Sequence, residues 1–187
     1  MTALAPINIK DHRQLGIEQE LFYFNELTPG CCHFLPHGTR IYRELRKHLQ
    51  DEYWERGFDE VITPQIAKKE LWEISGHWDK YKDDMYTLSK TSDEPGEEYA
   101  LKAMNCPMHC LLFASKARSY RDLPLRLADF GMLHRNECSG SLTGLTRTRC
   151  FQQDDAHIFC RSAQIIGEIQ DTIELASDNA LKIVLVG

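Results

Sequence analysis

No apolar run in the sequence approaches the about 20 residues that a membrane-spanning helix needs, so no membrane partner is expected. The cysteines, at positions 31, 32, 106, 110, 138, 150 and 160, form no CxxC repeat and are odd in number. Such a pattern reads neither as a disulfide framework nor as a self-contained zinc knuckle, and a reducing compartment is the simpler expectation. The opening MTALAPINIKDHRQ lacks the apolar stretch of a secretory leader and the Arg/Ser-rich amphipathic character of a transit peptide. A cytoplasmic location is therefore expected, with the mitochondrial matrix as the alternative. Excess basic charge is also missing: 22 Lys and Arg against 28 Asp and Glu leave a net charge of −6. That excludes a chain gripping nucleic acid over its whole surface, while a local basic patch on an acidic body stays compatible. There are no internal repeats and no low-complexity segments.

What remains is ordinary globular composition: 187 residues, 42% apolar and 27% charged. This fits one domain with a sizeable core, or a piece of a larger one. Residues 1–9 read as a flexible tail and 10–187 as the folded body. Asp11 caps a short helix, and two short strands follow at Leu21–Phe24 and Cys31–Leu35, separated by the turn TPG. From Thr39 to Arg56, Ile41, Leu45, Leu49 and Tyr53 recur every four residues and predict an amphipathic helix stopped by Gly57. A β-rich run, GFDEVITPQI, then reaches the edge-marking Pro64. Lys68–Ser75 reads as a helix, Met85–Lys90 and Tyr99–Ala103 as a hairpin around an acidic loop. A further helix begins at Pro107, with Cys110 expected in the core beside Leu111, Leu112 and Phe113, and His109 given no metal role. Ser162 is expected to cap a helix with an apolar stripe of Ile165, Ile166, Ile169, Ile173 and Leu175. The final KIVLV is β-prone, and a hydrophobic strand left unpaired there makes the chain look cut short.

The stretch 124–160 carries the chemistry. It reads as two long strands, Leu125–Glu137 and Arg147–Phe159, joined by the loop CSGSLTGLT. Alternation puts Arg147, Arg149, Phe151, Gln153, Asp155, His157 and Phe159 on one face of the second strand, and Arg135 with Glu137 on one face of the first. A solvated sheet is the bland reading. The arginines and the aromatic ring favour a ligand instead, since guanidinium groups grip phosphate or carboxylate bidentately and stack on rings. Phe151 can lie under a flat base while Arg135 and Arg147 hold phosphates.

These residues resemble a known family. HRNE at 134–137 with TRTRCF at 146–151 looks like motif 2 of the class II aminoacyl-tRNA synthetases, spanning here about 124–153. FQQDDAHIF, GHWDKY at 76–81 and MNCP at 104–107 are most similar to the threonyl-tRNA synthetase family, over about residues 10 to 175. The helix, Gly, strand and Pro of 39–66 resemble motif 1, which in that family builds a homodimer interface. The implied fold is α/β (α+β), a mostly antiparallel sheet flanked by helices and incomplete at the C-terminus.

The resemblance further implies an ATP-dependent activation of threonine and its transfer to tRNA(Thr), with Mg2+ accompanying ATP. Arg135 would hold the α-phosphate and the amino-acid carboxylate, Glu137 the adenine amino group, Phe151 the adenine ring and Arg147 the outer phosphates. Gln153 would meet the substrate ammonium, Asp155 the threonine hydroxyl, and Met104 would line the amino-acid pocket. Cys106 and His157 match two of three zinc ligands, and the third is missing from this chain. His77 would sit at the rim where the tRNA end enters. No GxGxxR-like motif 3 and no anticodon-binding or editing domain is present. Two other readings stay open: a catalytically inactive dimerisation or regulatory module of synthetase type, and an unrelated ATP-binding regulatory domain.

Overall fold

The computed structural model describes residues 11–88 and 97–186. The tail expected at 1–9 and most of the acidic loop lie outside them. Helix α1 (His12–Glu18) is capped by the Asp11 side chain, which accepts from the Arg13 amide at 2.8 Å. Strands β1 (Phe22–Phe24) and β2 (Cys32–Phe34) form an antiparallel hairpin. Helix α2 (Pro36–Glu55) starts at a proline, whose missing N–H costs nothing in the first turn. It ends where Gly57 adopts φ +76°, as its sequence position predicts.

Strands β3 (Asp59–Glu60) and β4 (Ile66–Lys68) flank Pro64, followed by helices α3 (Lys69–Ile74) and α4 (His77–Tyr81). Strands β5 (Thr87–Leu88) and β6 (Tyr99–Leu101) pair antiparallel, and β4 pairs with the other edge of β6. Helix α5 (Cys106–Ala114) leads to β7 (Leu125–Asp129), β8 (Met132–His134), β9 (Cys150–Gln152) and β10 (Asp155–Phe159). Helix α6 (Ile165–Val186) is the last element. All strand pairs are antiparallel except β3 with β7, which agrees with the expected α/β class.

Two apolar clusters hold these pieces together. One gathers Trp72, Met85, Ala100, Ala103 and Met108; the other gathers Phe58, Ala128, Phe130 and Leu175, with Leu49 and Tyr53 of α2 against it.

Three expectations are corrected. The long hairpin of 124–160 is interrupted: β7 pairs with β10 and β8 with β9, with Phe130–Gly131 and Gln153–Asp154 unpaired between them. The cause is local, because the Asp129 carboxylate takes the Gly131 N–H at 2.7 Å and withdraws it from the ladder. Register survives the gap, since Asp129 opposite Asp155 and Met132 opposite Gln152 are in phase. The β-prone KIVLV is helical, the last turns of α6, because extending an established helix is far easier than nucleating a strand. Cys110 is exposed, and Met108 and His109 occupy the buried face instead.

Candidate active site

A cleft of about 330 Å3 opens where the β8–β9 hairpin meets the segment before α5. Tyr81, Ala103, Met104, Arg135, Glu137 and Arg147 line it. The Arg135 amide donates to the Arg149 carbonyl at 2.9 Å, and its Nε donates to the Ala103 carbonyl at 3.3 Å. Its guanidinium lies 5.0 Å above the Phe151 ring. This cation–π contact holds the charge at the mouth of the cleft and covers one face of the ring. Glu137 receives Arg147 twice, Nε at 2.9 Å and a terminal nitrogen at 2.8 Å, so the two groups expected on adenine and on outer phosphates engage each other.

Arg149 does not join them. Its guanidinium donates to the carbonyls of Glu137 (2.8 Å) and Pro29 (3.4 Å) and to Ser139 Oγ (3.1 Å). Strand alternation fails there because β9 begins only at Cys150, so residues 147–149 belong to the loop.

On β10 the alternation holds. Asp155, His157 and Phe159 all face α5 and the residue before it. Asn105 Nδ2 donates to Asp155 Oδ2 at 3.0 Å, His157 Nδ1 lies 2.8 Å from His109 Nδ1, and the rings of Phe159 and Phe113 stack at 4.4 Å. Cys106, the first residue of α5, is half-buried beside this row. Burial, then the Asp155 carboxylate, pushes its thiol up, and burial lowers the His157 imidazole, helped by His109 and opposed by Asp155. At neutral pH the pair is a thiol and a neutral imidazole. The donor types suit zinc, whose binding would displace the thiol proton. Among the described residues no group of three or more His, Cys, Asp or Glu gathers to hold a metal ion. The fit is thus in kind, with two donors.

The remaining expected residues are peripheral. Gln153 lies exposed in the gap between β9 and β10. His77 begins α4, with Nδ1 2.8 Å from Ser75 Oγ and its ring 6.2 Å from that of Tyr81, which lines the cleft while His77 does not. The sequence reading gave no site role to two fully buried residues, Asn105 and His109. The signal was present: positions 105, 109 and 113 recur every four residues, one helix face, opposite three strand residues recurring every two.

The sequence profile of the tRNA synthetase class II core domain (G, H, P, S and T) matches residues 86–183. The cytoplasmic threonine–tRNA ligase of Saccharomyces cerevisiae is 57% identical over 168 residues, 90% of this chain and 22% of that protein. The mitochondrial threonine–tRNA ligase of Homo sapiens is 54% identical over 179 residues, 89% of this chain and 25% of that protein. The chain thus spans about a quarter of the length of these relatives. Among solved structures, the RNA binding domain of threonyl-tRNA synthetase from Cryptosporidium parvum superposes with a TM-score of 0.82 at 50% identity, covering 88% of this chain and 40% of that one. Giardia lamblia prolyl-tRNA synthetase, solved with prolyl-adenylate, superposes with a TM-score of 0.80 at 20% identity over 89% of this chain and 34% of its own, a likeness of fold. With the profile covering just over half of its residues, the chain belongs to the class II tRNA synthetase core-domain family, and its similarity within that family is to threonine–tRNA ligases.

Proposed function

We propose that this chain forms part of the catalytic core of a cytoplasmic threonine–tRNA ligase, which activates threonine with ATP and Mg2+ and passes it to tRNA(Thr). The observation that carries this reading is the convergence of Arg135, Glu137 and Arg147 on one cleft, beside the row of Cys106, Asp155 and His157. In the first step a threonine carboxylate oxygen attacks the α-phosphorus of ATP, an O–P bond forms, and the bond to pyrophosphate breaks. That displacement needs positioned positive charge rather than a protein nucleophile. Arg135 would hold the α-phosphate and the carboxylate together. Arg147, more exposed than its partner Glu137, would swing to the outer phosphates and free Glu137 for the adenine amino group. Adenine would stack on Phe151 once Arg135 turns from the ring to the phosphate.

Selection of threonine over valine requires a group that must pair with a hydroxyl, because an apolar pocket discriminates such isosteres poorly. Asn105 occupies Asp155 Oδ2 and leaves Oδ1 to accept from that hydroxyl. Cys106 and His157 would hold a zinc ion, which supplies an open coordination position for amine and hydroxyl. Met104 would line the amino-acid side, Gln153 would receive the ammonium, and His77 would meet the tRNA end. Homodimer formation through α2 is supported by Ile41 and Leu45, which lie on its surface 57% and 42% exposed instead of packing inside. No described helix is long and apolar enough to cross a membrane.

The test is a chimaera in which residues 10–176 replace the matching stretch of the Saccharomyces cerevisiae ligase. Threonine-dependent ATP–pyrophosphate exchange is expected, and Arg135→Ala should lower it at least ten- to a hundred-fold, the loss of a charge-assisted contact of roughly 1.5–3 kcal/mol. Exchange that ignores Arg135→Ala would overturn the reading of the cleft.

A further inference from the structure

Behind the wall of the site runs a buried polar chain for which substrate binding has no use. His109 and Asp129 are 0% and 1% exposed. His109 Nδ1 lies 2.8 Å from His157 Nδ1, with the two rings edge to face at 4.7 Å. On its other side His109 Nε2 has no hydrogen-bond partner, and Asp129 Oδ2 stands 3.7 Å away. Asp129 Oδ2 accepts from Thr63 Oγ1 at 2.6 Å, and Lys102 Nζ, itself fully buried, lies 3.5 Å from it and donates to Thr63 Oγ1 at 2.9 Å. Asp129 Oδ1 takes the Gly131 amide. A carboxylate so provided with donors is ionised.

A buried carboxylate facing an imidazole nitrogen repels a lone pair there and attracts an N–H. His109 therefore carries its proton on Nε2 and presents the Nδ1 lone pair to His157. Only one proton can lie between the two Nδ1 atoms, so it belongs to His157, whose Nε2 is left bare. We propose that His109 is a positioning residue: it reads the charge of Asp129 and fixes His157 as the Nδ1–H tautomer, with the Nε2 lone pair free for a metal ion. Ligating histidines are commonly held by a carboxylate or carbonyl on the second nitrogen. Here a second histidine transmits the carboxylate's instruction across one more ring. The inference rests on the metal reading above only for its purpose; the tautomer itself stands on this geometry.

The experiment is long-range nitrogen-15 NMR of the histidine side chains in the 187-residue chain, which assigns each ring's proton directly. His157 is expected as the Nδ1–H form. His109→Asn keeps an amide oxygen near the Nδ1 position and should preserve that form, whereas His109→Leu should release His157 to a mixture dominated by Nε2–H. Asp129→Asn gives a third arm that spares the imidazole: its amide oxygen stays on Gly131, its NH2 turns toward His109 Nε2, and the whole relay should reverse. Titration with Zn2+ alone is expected to weaken about 10- to 100-fold in His109→Leu and little in His109→Asn. An Nε2–H His157 in the unmodified chain, or a tautomer unchanged by both His109→Leu and Asp129→Asn, would overturn the proposal. Absence of Zn2+ binding with the Nδ1–H form intact would count against the metal reading and leave the relay standing.

Discussion

Asp129 shows how much one side chain can organise. Burial by itself would raise its carboxyl, but the His109 imidazole, the Thr63 hydroxyl, the Lys102 ammonium and the Gly131 amide outweigh that and hold it at about 2, against an ordinary 3.8. A carboxyl lower in the folded than in the unfolded chain stabilises fully above the unfolded value and loses that contribution as pH falls through the folded one. The shift corresponds to roughly 2 kcal/mol. Chemical denaturation of the wild-type chain and of Asp129→Asn should therefore differ by a constant amount at pH 5–7. The difference should shrink steadily between about pH 4 and pH 2, and a difference independent of pH would mean that folding leaves the Asp129 carboxyl at its unfolded value. None of this was legible in the sequence. Lys102 looks like any lysine at a strand end, and Asp129 reads as one more charge on a strand. Arg135, Glu137 and Arg147 were legible, because their spacing about a loop forces them to one end of a hairpin whatever its details. Arg149 was misplaced because alternation assumes a strand that had not yet begun.

Two elements match in pitch, and that match builds the inner wall of the site. Four helical residues rise about 6 Å and two strand residues about 6.6 Å. Asn105, His109 and Phe113 therefore meet Asp155, His157 and Phe159 one for one along α5 and β10. The strand half of this register could be read from parity, while the helix half needed knowledge of which helix lay across it. The docking of α2 is equally exacting. A Cβ on Gly38 would lie 2.0 Å from the Leu21 carbonyl oxygen, a backbone atom fixed by the β1–β2 hairpin, whereas one on Gly140 would meet nothing within 4 Å. Gly38→Ala must therefore push the first turn of α2 away from the hairpin. It should cost about 3 kcal/mol or more, the upper end of overpacking effects, and Gly140→Ala about 0.5 kcal/mol or less, as for surface changes. Urea midpoints compare them, and equal midpoints would show that α2 and the hairpin slide freely.

As a whole molecule the chain wears apolar surface that a compact body would cover. Its last helix illustrates this: of the expected apolar stripe, Ile165, Ile166, Ile169 and Ile173 are 45–72% exposed and Leu175 is buried. The face turned inward carries Leu175, Asn179 and Glu168, the last gripped by Arg126 through two contacts of 2.7 Å. Periodicity grouped the four isoleucines but wrongly joined Leu175 to them, and it cannot say which side of a helix its neighbours will occupy. The consequence for function concerns the 187-residue chain assayed by itself, which is expected to make no threonyl-adenylate. Its candidate metal donors among the described residues number two, Cys106 and His157, short of the three protein ligands of catalytic zinc sites. Its cleft holds Arg147 against Glu137 at the surface, where water competes for every phosphate contact. Its net charge of −6 also repels ATP and tRNA alike at long range. Each deficit lowers the population of a productive complex, and because all must be met at once their effects multiply. Pyrophosphate exchange with purified chain, Zn2+, Mg2+, ATP and threonine should stay at background while the yeast chimaera turns over under the same conditions. Robust exchange by the chain alone would show that these 187 residues already hold the complete reacting geometry, and that the site lies elsewhere than between β9, β10 and α5.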